Sequence, residues 1–184
     1  MRAFVAVVPP AEAVEPLQAA VERLRPAYAG LGWVAKERWH VTLAFLGDVD
    51  EGRLPRLQRE LAQLADTDPF ELRVAGAGCF PRPSRPQVLW AGLEGDVTAL
   101  EGFAATVTRA CRAAKTAPDL KPFRAHITVA RARRSPVDVA PLLAALDDVA
   151  GPPWSADRFA LYRSHLGPQP RYEELAGWPL GHQA

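Results

Sequence analysis

Two of the chain's four histidines stand in matched surroundings, His40-Val41-Thr42-Leu43 and, eighty-six residues later, His126-Ile127-Thr128-Val129. If both stretches are strands, each histidine shares a face with the threonine two residues on, and the two apolar residues point the other way. A polar pair backed by an apolar pair suits a strand that borders a cleft. Free imidazole has a pKa of roughly 6.5, so of two such groups one can be neutral and the other protonated near neutral pH. The neutral ring takes a proton from water and the imidazolium gives one to a leaving oxygen, each role contributing about 10²–10⁴ in rate. A hydroxyl beside each ring can bind the non-bridging oxygens of a phosphoryl group as they gain charge. No carboxylate cluster, His-x-x-x-His or cysteine pair signals a metal, and no cofactor is expected.

Charge favours the same chemistry. Between Arg109 and Arg134 lie Arg109, Arg112, Lys115, Lys121, Arg124, Arg131, Arg133 and Arg134 against the single acid Asp119. This local surplus brackets the second motif although the whole chain carries a net charge of only +1, and it attracts phosphates and nucleic acid. Arg124, two residues before His126, shares its face on a regular strand. Arg131, five residues after, does so only if the strand ends or bulges near Ala130. His165 and His182 have no partner motif and are expected to be non-catalytic.

The elements that must position these groups follow from periodicity. Strands are expected over Ala3 to Val8, Trp39 to Gly47, Phe70 to Val74, Val88 to Leu93, Arg124 to Arg131, Phe159 to Ser164 and Arg171 to Trp178, with a short one at Trp33-Val34. Apolar positions three and four apart give helices on Val14, Leu17, Val21 and Leu24, and on Leu54, Leu57, Leu61 and Leu64. A longer helix carries Val97, Leu100, Phe103, Ala104, Val107, Cys111 and Ala114, and a short one spans Pro141 to Leu146. Pro16 must lie in the first turn of its helix or kink it. Asp50 and Asp96 are candidate caps. Gly76 and Gly78 suggest a bulge or bend, and Phe80 to Pro86 reads as an exposed proline- and arginine-rich turn. The five tryptophans read as core.

At 184 residues, 48% hydrophobic and 23% charged, the chain has the composition of a globular protein able to bury a sizeable core. Cys79 and Cys111 are expected to be buried, reduced thiols. The N-terminal apolar run is too short for a membrane span, and Pro9-Pro10 follows it at once, so the cytoplasm is the expected location. Interspersed strands and helices with short connections and one repeated motif favour an α+β fold. Residues 1–184 are expected to form a single two-lobed domain, each lobe a mainly antiparallel sheet flanked by helices, with the active-site cleft between them.

The paired motifs resemble the His-x-Thr-x signatures of the two-histidine phosphoesterase superfamily. Further segments are similar to the bacterial and archaeal RNA 2′,3′-cyclic phosphodiesterases, also called 2′-5′ RNA ligases (the ThpR/LigT family). They are Arg2-Ala-Phe-Val-Ala6, Leu43-Ala-Phe-Leu-Gly47, Arg124-Ala-His-Ile-Thr-Val-Ala-Arg131, Leu161-Tyr-Arg-Ser164 and Tyr172-Glu-Glu-Leu175. The resemblance runs in order along nearly the whole chain. It implies a bilobal fold and metal-independent opening of an RNA 2′,3′-cyclic phosphate to a 2′-phosphate. His40 would be the acid on the leaving 3′ oxygen and His126 the base on water, roles that exchange in the reverse reaction. It further implies that Thr42, Thr128 and Arg131 bind the phosphate and that Phe4 stacks on the terminal base. The reverse reaction, 2′-5′ ligation with a 5′-hydroxyl in place of water, would need no ATP. The partner is RNA with a 2′,3′-cyclic phosphate end or a nucleotide cyclic phosphate; no membrane is involved, and a monomer is expected. Two alternatives are a phosphodiesterase for 2′-5′ oligonucleotides or small cyclic phosphates, and a non-catalytic RNA- or nucleotide-binding module.

Overall fold

Ala3 to Val7 are buried without a break, and this makes β1 (Arg2–Val7) an inner strand. The computed structural model describes residues 1–132 and 137–182. β1 lies between β3 (Val41–Asp48) and β8 (Arg158–His165), with β9 (Arg171–Pro179) outside β8, so the four-stranded sheet runs β3-β1-β8-β9. The second sheet has five strands in the order β2-β6-β5-β4-β7. These are β2 (Gly32–Trp33), β4 (Phe70–Arg82), β5 (Arg85–Gly95), β6 (His126–Arg131) and β7 (Trp154–Ala156). All strand pairs are antiparallel. The α+β class and the two flanked antiparallel sheets agree with the sequence reading. The lobes are not consecutive halves of the chain, however. The first sheet combines strands from both ends, and the second is built from the middle except for β2, which comes between β1 and β3 in the chain.

Each sheet has one face covered by helices. α2 (Leu54–Ala62) and α3 (Val97–Ala113) pack together, and α3 lies against β3 and meets β8 through the ring pair Phe103–Phe159 at 5.2 Å. α1 (Ala11–Leu24) and α4 (Ala140–Asp147) pack on β4 of the other sheet. The centres of the expected stripes are buried, Leu57 and Leu61 fully, as are Leu100 and Val107, whereas Leu24, Leu54, Val97 and Leu64, the last beyond the end of α2, are only partly buried. Each fully buried side chain stabilises the fold by about 1.5–3 kcal/mol relative to leaving it in water. The cysteines are buried and unpaired, and burial pushes the Cys111 thiol up to about 12. Trp39, Trp90 and Trp154 belong to the core, with Trp33 and Trp178 packed at its margin. Among the described residues no helix is long and apolar enough to cross a membrane.

Several elements differ from their sequence reading. α1 begins at Ala11, so Pro16 lies beyond the first turn. The carbonyl it leaves without a helical donor is that of Glu12, an exposed residue that water can satisfy. Asp96 stands at the start of α3, but its Oδ2 accepts from the Glu71 backbone N–H at 2.8 Å instead of capping the helix. Asp50 does cap, accepting from Gly52 N at 3.0 Å at the head of a short 3-10 turn. The Phe80–Pro86 run is largely strand: β4 and β5 pair out to Arg82 and Arg85 and form a long exposed hairpin. Proline is tolerated there because Pro81 and Pro86 oppose one another and need supply no ladder donors. β7 was not expected, since three residues after Pro152-Pro153 carry too little pattern.

Gly76 has φ +80°, and the β4–β5 register shifts between Val74 and Ala77, the bulge expected there. Gly78 has a different role. A Cβ on it would lie 2.4 Å from Trp90 Cζ2, so the glycine lets the indole lie across β4.

Candidate active site

The strands bearing the two motifs, β3 and β6, come from different sheets and approach each other. His40 sits one residue before β3, and His126 is the first residue of β6. Both imidazoles are oriented by the same bond. His40 Nδ1 donates to the Arg38 carbonyl at 2.8 Å, and His126 Nδ1 donates to the Arg124 carbonyl at 2.6 Å. A carbonyl can only accept, so each neutral ring keeps its proton on Nδ1 and its lone pair on Nε2.

The repeat is therefore longer than the four residues first apparent. It reads Arg-x-His-x-Thr-x in both places, Arg38 to Leu43 and Arg124 to Val129. Arg38 was missed as a site residue, although aligning the two stretches would have shown it. The guanidinium groups behave alike too: Arg38 lies over the Tyr172 ring at 5.9 Å, and Arg124 over Trp90 at 4.8 Å.

A second shared feature decides where the following residues point. In the β1–β3 ladder Val5 pairs with Ala44 but Ala6 with Thr42, so Leu43 is an extra residue. In the β5–β6 ladder Leu89 pairs with Ala130 but Trp90 with Thr128, so Val129 is extra. Each motif thus carries a bulge at its fourth residue, and the alternation of faces reverses beyond it. Leu43 and Ala44 are both buried, as are Val129 and Ala130. The next residues, Phe45 and Arg131, return to the face of the histidines. The bulge that Arg131 needs is present, and its charge acts on both imidazoles.

The two rings rest on aromatic beds. Phe4 stacks on His40 at 4.7 Å, and Tyr172 meets that ring edge-on at 5.3 Å. Phe80 meets His126 edge-on at 5.1 Å, with Trp90 at 6.2 Å. Phe4 itself is only 3% exposed, enclosed by His40, Tyr162 and Tyr172, so its ring offers no open face to a base.

Burial pushes the His40 pKa down to about 4; the bond to the Arg38 carbonyl opposes this, and the charges of His126, Arg131 and Arg38 add to it. His126 is lowered as well, again mainly by burial, with Arg124 and Arg131 contributing. The neighbouring threonines differ. Thr42 Oγ1 lies 2.8 Å from His40 Nε2 and donates to its lone pair, whereas the described contacts give His126 Nε2 no such partner. Both shifts favour the neutral ring in the free protein, so the protonated partner that acid–base chemistry needs is disfavoured until something offsets the burial.

Thr128 is half-buried on the His126 face. His165 pairs with Glu173 and His182 with Asp68, neither of them part of this cluster. Of the basic run, Arg133 and Arg134 lie outside the described residues. Among the described residues no three His, Cys, Asp or Glu side chains converge as metal ligands would.

The sequence matches the model of the LigT-like phosphoesterase family over residues 7–90 and 94–172. It is 36% identical over 188 residues to the RNA 2′,3′-cyclic phosphodiesterase of Thermus thermophilus, an alignment covering 98% of this chain and 90% of that one. The enzyme of the same name from Archaeoglobus fulgidus is 33% identical over 178 residues, with 95% and 98% covered. A Geobacillus stearothermophilus relative of that name is 34% identical over 149 residues; the alignment spans 80% of this chain but only 47% of that longer protein. Among solved structures, E. coli LigT complexed with 3′-AMP superposes with a TM-score of 0.79 at 25% identity, covering 98% of each chain.

Proposed function

The chain belongs to the LigT-like phosphoesterase family, and from that premise we propose that it hydrolyses RNA 2′,3′-cyclic phosphate ends to 2′-phosphates. The observation that carries this reading is the pair of imidazoles held in the same tautomer by the carbonyl two residues back, with Arg131 acting on both.

The cyclic phosphate sits between the two Nε2 atoms, its non-bridging oxygens on Arg131 and the Thr42 and Thr128 hydroxyls. Its negative charge offsets that of Arg131, so one proton is taken up as substrate binds; the form that reacts carries it on His40, a minority form because burial depresses that ring more than His126. Water attacks phosphorus and passes a proton to His126 Nε2. The P–O3′ bond breaks, and His40 Nε2 gives its proton to the departing oxygen. A 2′-phosphate and a 3′-hydroxyl result, and solvent returns both histidines to their starting states. A 5′-hydroxyl in place of water yields a 2′-5′ linkage through the same steps, with ring opening driving the reaction. Phe4 supports the His40 ring from beneath and does not stack on the substrate base.

In this reading the chain acts as a single two-lobed, monomeric unit in the cytoplasm, without a metal or cofactor. The test is incubation in EDTA with a short RNA ending in a 2′,3′-cyclic phosphate, the product being compared with 2′- and 3′-phosphate standards. A 2′-phosphate from the wild type that His40→Ala and His126→Ala fail to make is the expected result. A metal requirement, or a 3′-phosphate product, would overturn the mechanism as written.

A further inference from the structure

A hollow of about 630 Å³ runs from Thr42 and His126 along the edge of β3 to the exposed side of α3. Glu101, Ala105, Thr108 and Arg112 line it at helical spacing, so one stripe of α3 forms a wall, with Arg109 beside it. The opposite wall is segment 119–124, fastened to β3 by the Asp119 N–H, which donates to the Phe45 carbonyl at 2.8 Å.

The charges on these walls are not balanced. Lys121 faces Asp119 at 3.7 Å, but among the described residues Arg109, Arg112 and Arg124 have no carboxylate within ion-pair distance. Unneutralised guanidinium groups leading away from a reacting centre form a track for a polyanion. Phe45 completes the hollow. The bulge in β3 turns it to the position that Arg131 holds after the second motif, and its half-buried ring lines the groove, with Arg2 over it at 5.4 Å. An aromatic ring beside a line of arginines combines a stacking surface with an electrostatic funnel, the pairing that single-stranded nucleic acid requires.

We propose that this groove holds the RNA strand leading into the cyclic end. The base next to the reacting nucleotide lies on Phe45, and the backbone phosphates lie on Arg109 and Arg112. The inference rests on the cyclic-phosphate reading and deepens it: the enzyme's substrate is an oligonucleotide, and a cyclic mononucleotide fills only part of the site.

The experiment compares kcat/KM for a 2′,3′-cyclic mononucleotide and for a short RNA ending in the same cyclic phosphate, at several salt concentrations. The oligonucleotide is preferred by roughly tenfold or more at low salt, and the preference shrinks as salt rises. Arg109→Glu/Arg112→Glu abolishes the preference and flattens the salt dependence without changing turnover of the mononucleotide; Phe45→Ala reduces the preference in part. The charge-matched control Arg23→Glu/Arg25→Glu, on the far end of α1, leaves it intact. Equal turnover of both substrates by the wild type, or equal loss on both in the variant, overturns the proposal. If neither substrate is turned over, the cyclic-phosphate reading fails, and fluorescence anisotropy of a labelled short RNA decides the groove separately. Binding weakened by Arg109→Glu/Arg112→Glu supports it, and unchanged binding refutes it.

Discussion

The His40 and His126 sides of the cleft share a backbone and differ in almost everything around it. Both have the arginine carbonyl on Nδ1, the threonine two residues on and the bulge at the fourth residue. His40 lies deeper, on Phe4 and Tyr172, with its Nε2 engaged by Thr42. His126 rests against Phe80 and Trp90, and the next residue beyond its bulge is Arg131 where the His40 side has Phe45. Shared backbone bonds aim both lone pairs, while unlike surroundings separate their proton affinities. Acid–base catalysis by two copies of one residue needs both conditions.

The comparison breaks most readily at the histidines. Each of His40→Ala and His126→Ala is expected to lower kcat/KM by about 10²–10⁴. In the proposed mechanism the two act in one step, and the double variant should then lose little more than the worse single one. A tolerated substitution at either position would show that the sides are not partners. Next in size is Arg131→Ala, expected to cost about 10²–10³ because no equivalent cation stands at Phe45 to replace it. Losses from Phe45→Ala and Arg131→Ala that match on a cyclic mononucleotide would make the two sides equivalent after all.

The pH profile sharpens the contrast further. Burial leaves His40 near 4 and His126 also below its ordinary value, so the singly protonated free enzyme is most abundant below pH 6.5. kcat/KM should therefore peak on the acid side of 6.5 and fall about tenfold per pH unit above the upper of the pair's two apparent pKa values. A plateau extending past pH 8 would contradict the burial argument. The smallest effect is expected at the threonines. The Thr42 hydroxyl donates to Nε2 and so favours the neutral ring; Thr42→Val should raise the His40 pKa by a fraction of a unit, and Thr128→Val should leave His126 in place. Imidazole resonances followed through a pH titration by NMR would separate the two.

How far the sequence foretold this arrangement depends on the range of the interaction concerned. Helices such as α3 were legible because their buried stripe is written at local spacing, Leu100, Phe103, Val107 and Cys111. The histidine–threonine faces were legible because strand alternation is local as well. The bulges were harder. Nothing in Leu43 or Val129 announces an extra residue; it becomes visible only against the partner strands β1 and β5. Arg38 escaped because its contribution is a backbone carbonyl and a guanidinium over Tyr172, a ring 134 residues away. The covering of Phe4 likewise depends on Tyr162 and Tyr172, which reach it only when the last strands join the first.

That joining has a consequence in time. Phe4 pairs with Tyr162, 158 residues further on, whereas the five-stranded sheet has its last strand by Ala156. A ribosome adding roughly 5–20 residues per second takes on the order of ten seconds or more to span the interval. Throughout it one edge of β1 has no neighbour and must wait as an open, apolar template. The His126 half of the site is thus ready before the His40 half can close. Released chains truncated just after Ala156 should protect β4 and β5 amides from hydrogen exchange while β1 exchanges freely. Protection of β1 at that length would refute this order of assembly.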